Sequence, residues 1–177
     1  MDGIVTTLPE PYTSKLLGIW NDIENEFGFN GVKYTPIPHF TWHVAADYNL
    51  TKVKNELKVL IKNIKPFVVK TKGLSHFKKS TFVAYISIHK NKELTSLHHK
   101  ICEQLSVHST DTLDYYLPLS WVPHITIVRE GDIFNPKQVN DFIRKYDLNW
   151  SFIVDSLSII RTEKNNTAQI QFTQKFL

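Results

Sequence analysis

The sequence predicts an α+β protein built by duplication, with two similar lobes facing one cleft. Three observations carry this. The pattern proline, histidine, apolar, threonine, apolar occurs twice, as Pro38-His39-Phe40-Thr41-Trp42 and Pro123-His124-Ile125-Thr126-Ile127. The second copy follows the first by 85 positions (39 to 124), close to half of the 177-residue chain. The surrounding pattern keeps that offset: Phe67-Val68-Val69 recurs as Phe152-Ile153-Val154, and Val53 and Leu57 recur one position further on as Val139 and Ile143. A period of this kind points to an ancient internal duplication. The expected architecture is one compact domain, 1–177, of two pseudo-symmetric lobes, approximately 1–90 and 91–177. Each lobe centres on an antiparallel-rich sheet facing the central cleft, with helices outside.

The elements follow in order. After Pro9 and Pro11, the segment Thr13 to Phe27 carries Leu16, Ile19, Trp20, Ile23 and Phe27 at helical spacing, and Gly28 is placed to end it. Gly31 to Tyr34 reads as a short strand, and the first motif strand runs to about Ala46. Thr51 is expected to cap a helix bearing Val53, Leu57, Leu60, Ile61 and Ile64, which stops before Pro66. Phe67 opens a strand, Gly73 to Ser80 is a loop, and Phe82 to Ile88 is a strand. The order then repeats. Leu94, Leu97, Ile101 and Leu105 mark a helix over Glu93 to Val107, and a polar loop leads to Trp121. The second motif strand runs to Arg129. Asn135-Pro136 starts a helix with proline at its first position. A strand from Trp150 to Ile160, a turn at Glu163 to Asn166, and a strand from Ala168 to Phe176 complete the chain.

Composition excludes several classes. Hydrophobic residues at 42% and charged residues at 21% fit a soluble globular domain. Cys102 is the only cysteine, which rules out an intrachain disulfide and a cysteine zinc cluster. No apolar run is long enough to span a bilayer, and Met1 to Pro11 lacks a secretory core. A reducing cytoplasmic setting, a monomer and no membrane partner are the expectations. The net charge of +4 mildly favours an anionic partner.

The motif carries the chemistry. Residues two apart on a strand share a face, so His39 and Thr41 point one way and Phe40 and Trp42 the other. The same holds for His124 and Thr126 against Ile125 and Ile127. Strands laid side by side bring two imidazoles and two hydroxyls to one small volume. A neutral imidazole can accept a proton and a protonated one can donate it, both near neutral pH. Hydroxyls can hydrogen-bond non-bridging phosphate oxygens. Displacement at phosphorus needs base and acid on opposite sides, which a two-fold pair supplies.

These residues resemble the two-histidine (2H) phosphoesterase superfamily, in its 2′-5′ RNA ligase-like and cyclic phosphodiesterase group. His39-Phe40-Thr41-Trp42 and His124-Ile125-Thr126-Ile127 fit its doubled signature, although Trp42 is bulkier than the usual aliphatic residue. The resemblance implies a bilobal fold and metal-independent acid–base catalysis without a cofactor. The implied substrates are 2′,3′-cyclic phosphates or 2′–5′ and 3′–5′ linkages at RNA ends or in small nucleotides. His39 and His124 would be the acid–base pair, in an order left open, and Thr41 and Thr126 the phosphate donors. Phe77 sits where an aromatic lines the family's pocket, and Arg129 where many relatives carry arginine.

Other residues have plainer expectations. His43 should share the face of His39 and Thr41 and border the site. Arg129 falls on the face opposite His124 in a regular strand, so a bulge, or the end of the strand, is needed to bring it into the cleft. His39 and His43 have the spacing of a helical zinc pair but lie on a strand, so no metal site is expected. His98-His99 reads as a solvated helix face, Lys78-Lys79 as a solvated loop pair and Trp121 as core. Two alternatives remain from the sequence: a non-catalytic binder of RNA ends or nucleotides using the same cleft, and a metal-dependent hydrolase.

Overall fold

Nine strands alternate with four helices in the computed structural model, which describes residues 1–78, 81–130, 135–162 and 167–177 and, of Lys78, only the backbone. The order is β1 (Asp2–Thr7), α1 (Tyr12–Phe27), β2 (His39–Tyr48), α2 (Leu50–Leu60), β3 (Phe67–Lys78), β4 (Phe82–Ile88), α3 (Lys92–Leu105), β5 (Ser109–Thr112), β6 (His124–Glu130), α4 (Pro136–Ile143), β7 (Ser151–Val154), β8 (Ser156–Thr162) and β9 (Ala168–Lys175). Every recorded strand pairing is antiparallel. The strand order is β7-β3-β4-β6-β2-β1-β8-β9, with β5 added to β2. Only Asp155 separates β7 from β8. Because β7 pairs with β3 and β8 pairs with β1, the sheet curls back on itself.

The α+β duplicated fold is present, with the two expected sheets joined edge to edge into one. The halves divide differently from 1–90 and 91–177. β6 is flanked by β4 and β3 from the first half, and β2 by β1 and β8, the last from the second half. The repeating unit is β1-α1-β2-α2-β3, matched by β4-α3-β6-α4-β7. It starts one strand before the helix where the sequence pattern begins. Its first strand, Ile4-Val5-Thr6-Thr7, is a β-branched run in a segment to which the sequence reading gave no element.

Local chemistry explains the remaining differences. Gly31–Tyr34 is a 3₁₀ turn, not a strand. Asn49, rather than Thr51, caps α2 by accepting the Lys52 N–H. The loop expected at Gly73 is a continuation of β3. Gly73 has φ +84, and the register with β4 shifts between Thr71 and Leu74. The glycine thus marks a bulge within a long strand. Lys79 and the turn at Glu163–Asn166 lie outside the described residues.

One apolar core lies on the helix side of the sheet, with Phe40, Trp42, Trp121, Ile125 and Ile127 all 1% exposed or less. His98 belongs to it, contrary to the solvated reading: α3 turns it inward, 1% exposed, stacked 3.8 Å from the Trp121 ring. His98 Nε2 lies 3.0 Å from the Tyr116 carbonyl. Burial pulls the pKa of His98, and that of His43, down to about 4. Both stay neutral in the fold down to about that pH, while the unfolded chain takes up a proton on each near 6.5. Acidification therefore favours unfolding through this window. At pH 5 the expected loss is roughly 2 kcal/mol per histidine relative to pH 7. Urea titrations at both pH values check this: His43→Gln and His98→Gln should each flatten the pH dependence by about that amount.

Candidate active site

β2 and β6 touch through a single bridged pair, Phe40 and Ile125. Both side chains are fully buried on the core side. Continuing this antiparallel register by one residue each way sets His39 opposite Thr126 and Thr41 opposite His124. The outer strands extend the grid. β1 places Thr7 beside His39 and Val5 beside Thr41, while β4 places Ser87 beside His124 and Tyr85 beside Thr126. The cleft floor is therefore two rows: Ser87, His124, Thr41, Val5, and Tyr85, Thr126, His39, Thr7. The two histidines are diagonal neighbours, a relation that puts residues about 7–8 Å apart in an antiparallel pair. That distance leaves room for one phosphate between the rings.

Each motif is followed by a bulge at the same point. Val5 pairs with Thr41 but Ile4 with His43, leaving Trp42 as the extra residue. Tyr85 pairs with Thr126 but Ala84 with Val128, leaving Ile127 as the extra residue. Both extra side chains are buried, and the next residue is buried too. The alternation of faces inverts at this step. Arg129 consequently returns to the cleft face, as the sequence condition required. The same step removes His43 from the site. His43 is 1% exposed, its Nδ1 lies 2.6 Å from the Tyr48 hydroxyl, and it faces the core. The expectation that it borders substrate is corrected: simple alternation fails wherever a strand carries an extra residue.

Indoles hold these bulges. Trp121 Nε1 donates to the carbonyl of Thr41 (3.0 Å), and Trp20 Nε1 to that of Thr126 (3.1 Å). The donors come from unrelated positions, a loop and α1, yet serve matching carbonyls. Trp42 packs behind the first motif against Phe40 and Trp121 and donates to Thr6 Oγ1. Beyond the second bulge, the 3₁₀ turn Gly31–Tyr34 lies against β6. A Cβ on Gly31 would fall 1.7 Å from the Arg129 carbonyl oxygen, so only glycine fits. The Glu130 carboxylate accepts the N–H groups of Asn30 and Gly31.

The repeated prolines matter for the histidines. His39 Nδ1 bonds the Ile37 carbonyl, and His124 Nδ1 bonds the Val122 carbonyl at 2.7 Å. A carbonyl only accepts, so each Nδ1 carries the proton and each Nε2 is left for chemistry. The prolines between have no N–H to leave unpaired, and their carbonyls receive Leu8 N–H and Ile88 N–H. Burial pulls both histidine pKa values below the ordinary 6.5, and the charge of His124 adds to the effect on His39. The carbonyl hydrogen bonds oppose it in each case.

The surroundings of the two histidines differ. Phe77 packs edge-on to His124 at 5.1 Å, and Tyr85 lies 5.0 Å from the same ring. Phe77 and Tyr85 touch each other at 4.3 Å. Burial raises the phenol pKa of Tyr116, in the loop after β5, while Thr41 and the charge of Arg129 pull it the other way. The structure thus brings His39, Thr41, His124, Thr126, Phe77 and Arg129 to one face and leaves His43 out. Sequence reasoning missed Tyr85, Tyr116, Thr7 and Ser87. The available signals were the Tyr115-Tyr116 pair in a polar loop and the alternation of Val83, Tyr85 and Ser87. Among the described residues, no group of three or more His, Cys, Asp or Glu side chains is placed to hold a metal ion, and no helix is long and apolar enough to cross a membrane.

This tautomer assignment has a direct check. At pH 7, long-range ¹H–¹⁵N NMR of the free protein should show His39 and His124 neutral, with Nδ1 protonated and Nε2 bare. Nε2–H resonances for either ring would contradict the geometry.

The sequence profile of the 2′-5′ RNA ligase superfamily matches residues 13–166. Comparison with curated proteins finds no match. Among solved structures, TT0787 of Thermus thermophilus superposes with a TM-score of 0.68 at 14% identity, over 99% of this chain and 97% of that one. Escherichia coli LigT, in a complex with NADP+, gives 0.60 at 14% identity, over 99% and 96%. Usb1 of Kluyveromyces marxianus gives 0.51 at 8% identity, over 96% of each chain. At these identities the structural likenesses speak for the fold. The profile match spans most of the chain, and the chain belongs to the 2′-5′ RNA ligase superfamily of 2H phosphoesterases.

Proposed function

We propose that the protein is a phosphodiesterase that uses His39 and His124 as an acid–base pair. Its substrates are 2′,3′-cyclic phosphates, or 2′–5′ and 3′–5′ linkages, at RNA ends or in small nucleotides. The observation that carries this reading is the diagonal placement of two Nδ1-protonated imidazoles with two threonines between them. Nucleotide complexes are recorded for two proteins of the same fold, NADP+ with Escherichia coli LigT and uridine monophosphate with Kluyveromyces marxianus Usb1. They support a nucleotide in the cleft.

In this mechanism the phosphorus sits over the grid between the two rings. One Nε2 takes the proton from the attacking water or hydroxyl. The other imidazole, protonated, gives its proton to the leaving oxygen. The hydroxyls of Thr41 and Thr126 bond the non-bridging oxygens as charge shifts onto them, and Arg129 adds positive potential. Phe77 and Tyr85 supply an apolar wall beside His124 for a nucleobase or ribose. The protein's residues provide all these roles without a cofactor.

His39→Ala and His124→Ala should each lower turnover of a 2′,3′-cyclic nucleotide about 10²–10⁴-fold while the protein stays folded. The measurement is turnover across a panel of 2′,3′-cyclic nucleotides, 2′–5′ oligoadenylates and cyclic-phosphate RNA ends, with circular dichroism on each variant. Full activity in either variant defeats the assignment. Binding without turnover across the whole panel would favour a nucleotide-binding protein instead.

The pH dependence has a stated direction. In the free protein burial lowers both imidazole pKa values. The profile of kcat/KM, which reports the free enzyme, should therefore peak below pH 6.5. A bound phosphate anion favours the protonated rings and raises both values, so the kcat profile should peak at higher pH. Coincident optima for kcat and kcat/KM would count against this account. Both profiles should survive exhaustive chelation; loss of activity restored by one divalent ion would make a histidine a metal ligand.

A further inference from the structure

The bulge in β3 acts on the cleft as the two motif bulges do. Thr71 pairs with Ile88 and Leu74 with Ile86, so Lys72 and Gly73 together face Ser87. Ile86 and Ile88 are buried in the core, and Thr71 and Leu74 share that side with them. Lys72 therefore stands on the cleft side, and it is exposed. Gly73, at φ +84, takes up the extra residue. Beyond it Ser75 pairs with Tyr85 and Phe77 with Val83, again on the cleft side. Lys72 and Phe77 are five positions apart and would lie on opposite faces of a regular strand. The bulge brings both to the face of His124. Ser87 pairs with His124, so the first row of the grid extends to Lys72, Ser87, His124, Thr41 and Val5.

Charge is concentrated in the same part of the chain. Residues 49–92, which run through α2, β3 and β4, hold 11 lysines and one carboxylate, Glu56. Their net charge is +10, and since the whole chain totals +4 the remaining residues carry −6. Glu56 lies against His108. Lys54, Lys58 and Lys90 lie over aromatic rings. Among the described residues Lys72 makes no ion pair and no cation–π contact.

We propose that Lys72 forms a second phosphate subsite on the His124 side of the cleft. Its ligand is a nucleotide with a further phosphate on the 5′ oxygen of the nucleoside whose 2′ or 3′ phosphate occupies the grid. This rests on the phosphate-binding reading of the grid given above. The grid phosphate lies between β6 and β2, two and a half strand spacings from β3, or about 12 Å along the sheet. The four-carbon stem of Lys72 covers only part of that distance. Its ammonium stops short of the grid phosphate and meets an anion placed beside it. The base of the same nucleoside rests on Phe77 and Tyr85, which leaves its 5′ oxygen on the side of Ser87 and Lys72. The His39 side has no counterpart, because the row runs on through Val5 to Ser158, which is 1% exposed. Two sources supply such a phosphate: the next internucleotide linkage of an RNA end, or the 5′-phosphate of a small nucleotide. An ammonium acts as a point charge and takes either.

The test compares calorimetric affinity for adenosine 2′-monophosphate and adenosine 2′,5′-bisphosphate, which differ only in the second phosphate. The bisphosphate should bind the wild-type protein about 5-fold more tightly, the upper value for one exposed ion pair. Lys72→Met should remove that preference and Lys72→Arg should keep it. Lys52→Met, at an exposed position of α2, should leave it intact. Equal affinity for both nucleotides in the wild type, or a preference that survives Lys72→Met, overturns the inference. So does a preference lost equally in Lys52→Met, because the general positive field would then be its cause. Thermal melts check that each variant folds, with Lys72→Gln in place of Lys72→Met if that one does not. Turnover separates the two sources. Relative to adenosine 2′,3′-cyclic phosphate, a gain in kcat/KM that depends on Lys72 should fall on a dinucleotide with a 2′,3′-cyclic end if the source is RNA. It should fall on the 5′-phosphorylated cyclic mononucleotide if the source is a small nucleotide. A protein that turns over cyclic phosphates without any such gain keeps the enzymatic reading and loses the subsite. One that turns over none yet prefers the bisphosphate through Lys72 loses the enzymatic reading and keeps the subsite. No measurable affinity for either adenosine phosphate overturns the inference.

Discussion

The single bridge between Phe40 and Ile125 is the contact on which the site depends. It joins the two halves of the sheet at their centre and fixes the register of the motif strands. A slip of one residue would turn both histidines toward the core and bring Phe40 and Ile125 into the cleft. The apolar partners prevent this, since exposing two fully buried side chains would cost several kcal/mol by area alone, at about 1.5–3 kcal/mol each. Burial on one face therefore specifies the polar geometry on the other. The catalytic candidates need few contacts of their own to be held in place.

The paired bulges solve a second problem. A short antiparallel contact between two otherwise separate half-sheets leaves carbonyls without ladder partners. Trp20 and Trp121 take those of the two threonines. Because an indole has a donor at the edge of a large apolar body, it satisfies the carbonyl and fills the core at once. The inversion of faces after each bulge also sorts the following residues. It sends His43 and Val128 inward and Val44 and Arg129 outward, so one local irregularity decides which cation reaches the cleft face.

The pseudo-two-fold framework carries an asymmetric lining. Around His124 stand Phe77 and Tyr85; around Thr41 stand Tyr116 and, across the cleft, Arg129. In the proposed mechanism the symmetric grid supplies opposed acid and base positions, while the loops and β4 would give a substrate its direction. A nucleotide is itself polar, with an apolar base at one end and an anion at the other. The apolar wall and the cationic side match those two ends.

The sequence by itself determined the duplicated α+β class, most helices and the polar pair on each motif strand. These follow from local rules: helical spacing, strand alternation and the repeated proline-histidine-x-threonine. It also stated the condition for Arg129, a bulge or the end of the strand, without being able to say which occurs. Tertiary structure decided the rest. Register shifts depend on the partner strand, so neither Trp42 nor Ile127 could be recognised as an extra residue, and His43 was misplaced for that reason. His98 looked like part of a solvated pair because its burial depends on Trp121 and the Tyr116 carbonyl, more than a dozen residues away. The exchange of strands between halves, and the arrival of Tyr116 and Tyr85 at the cleft, depend on which edges pair. A period in the sequence reveals that two units exist; only the pairing of β3 with β7 and of β1 with β8 sets how they are wound together.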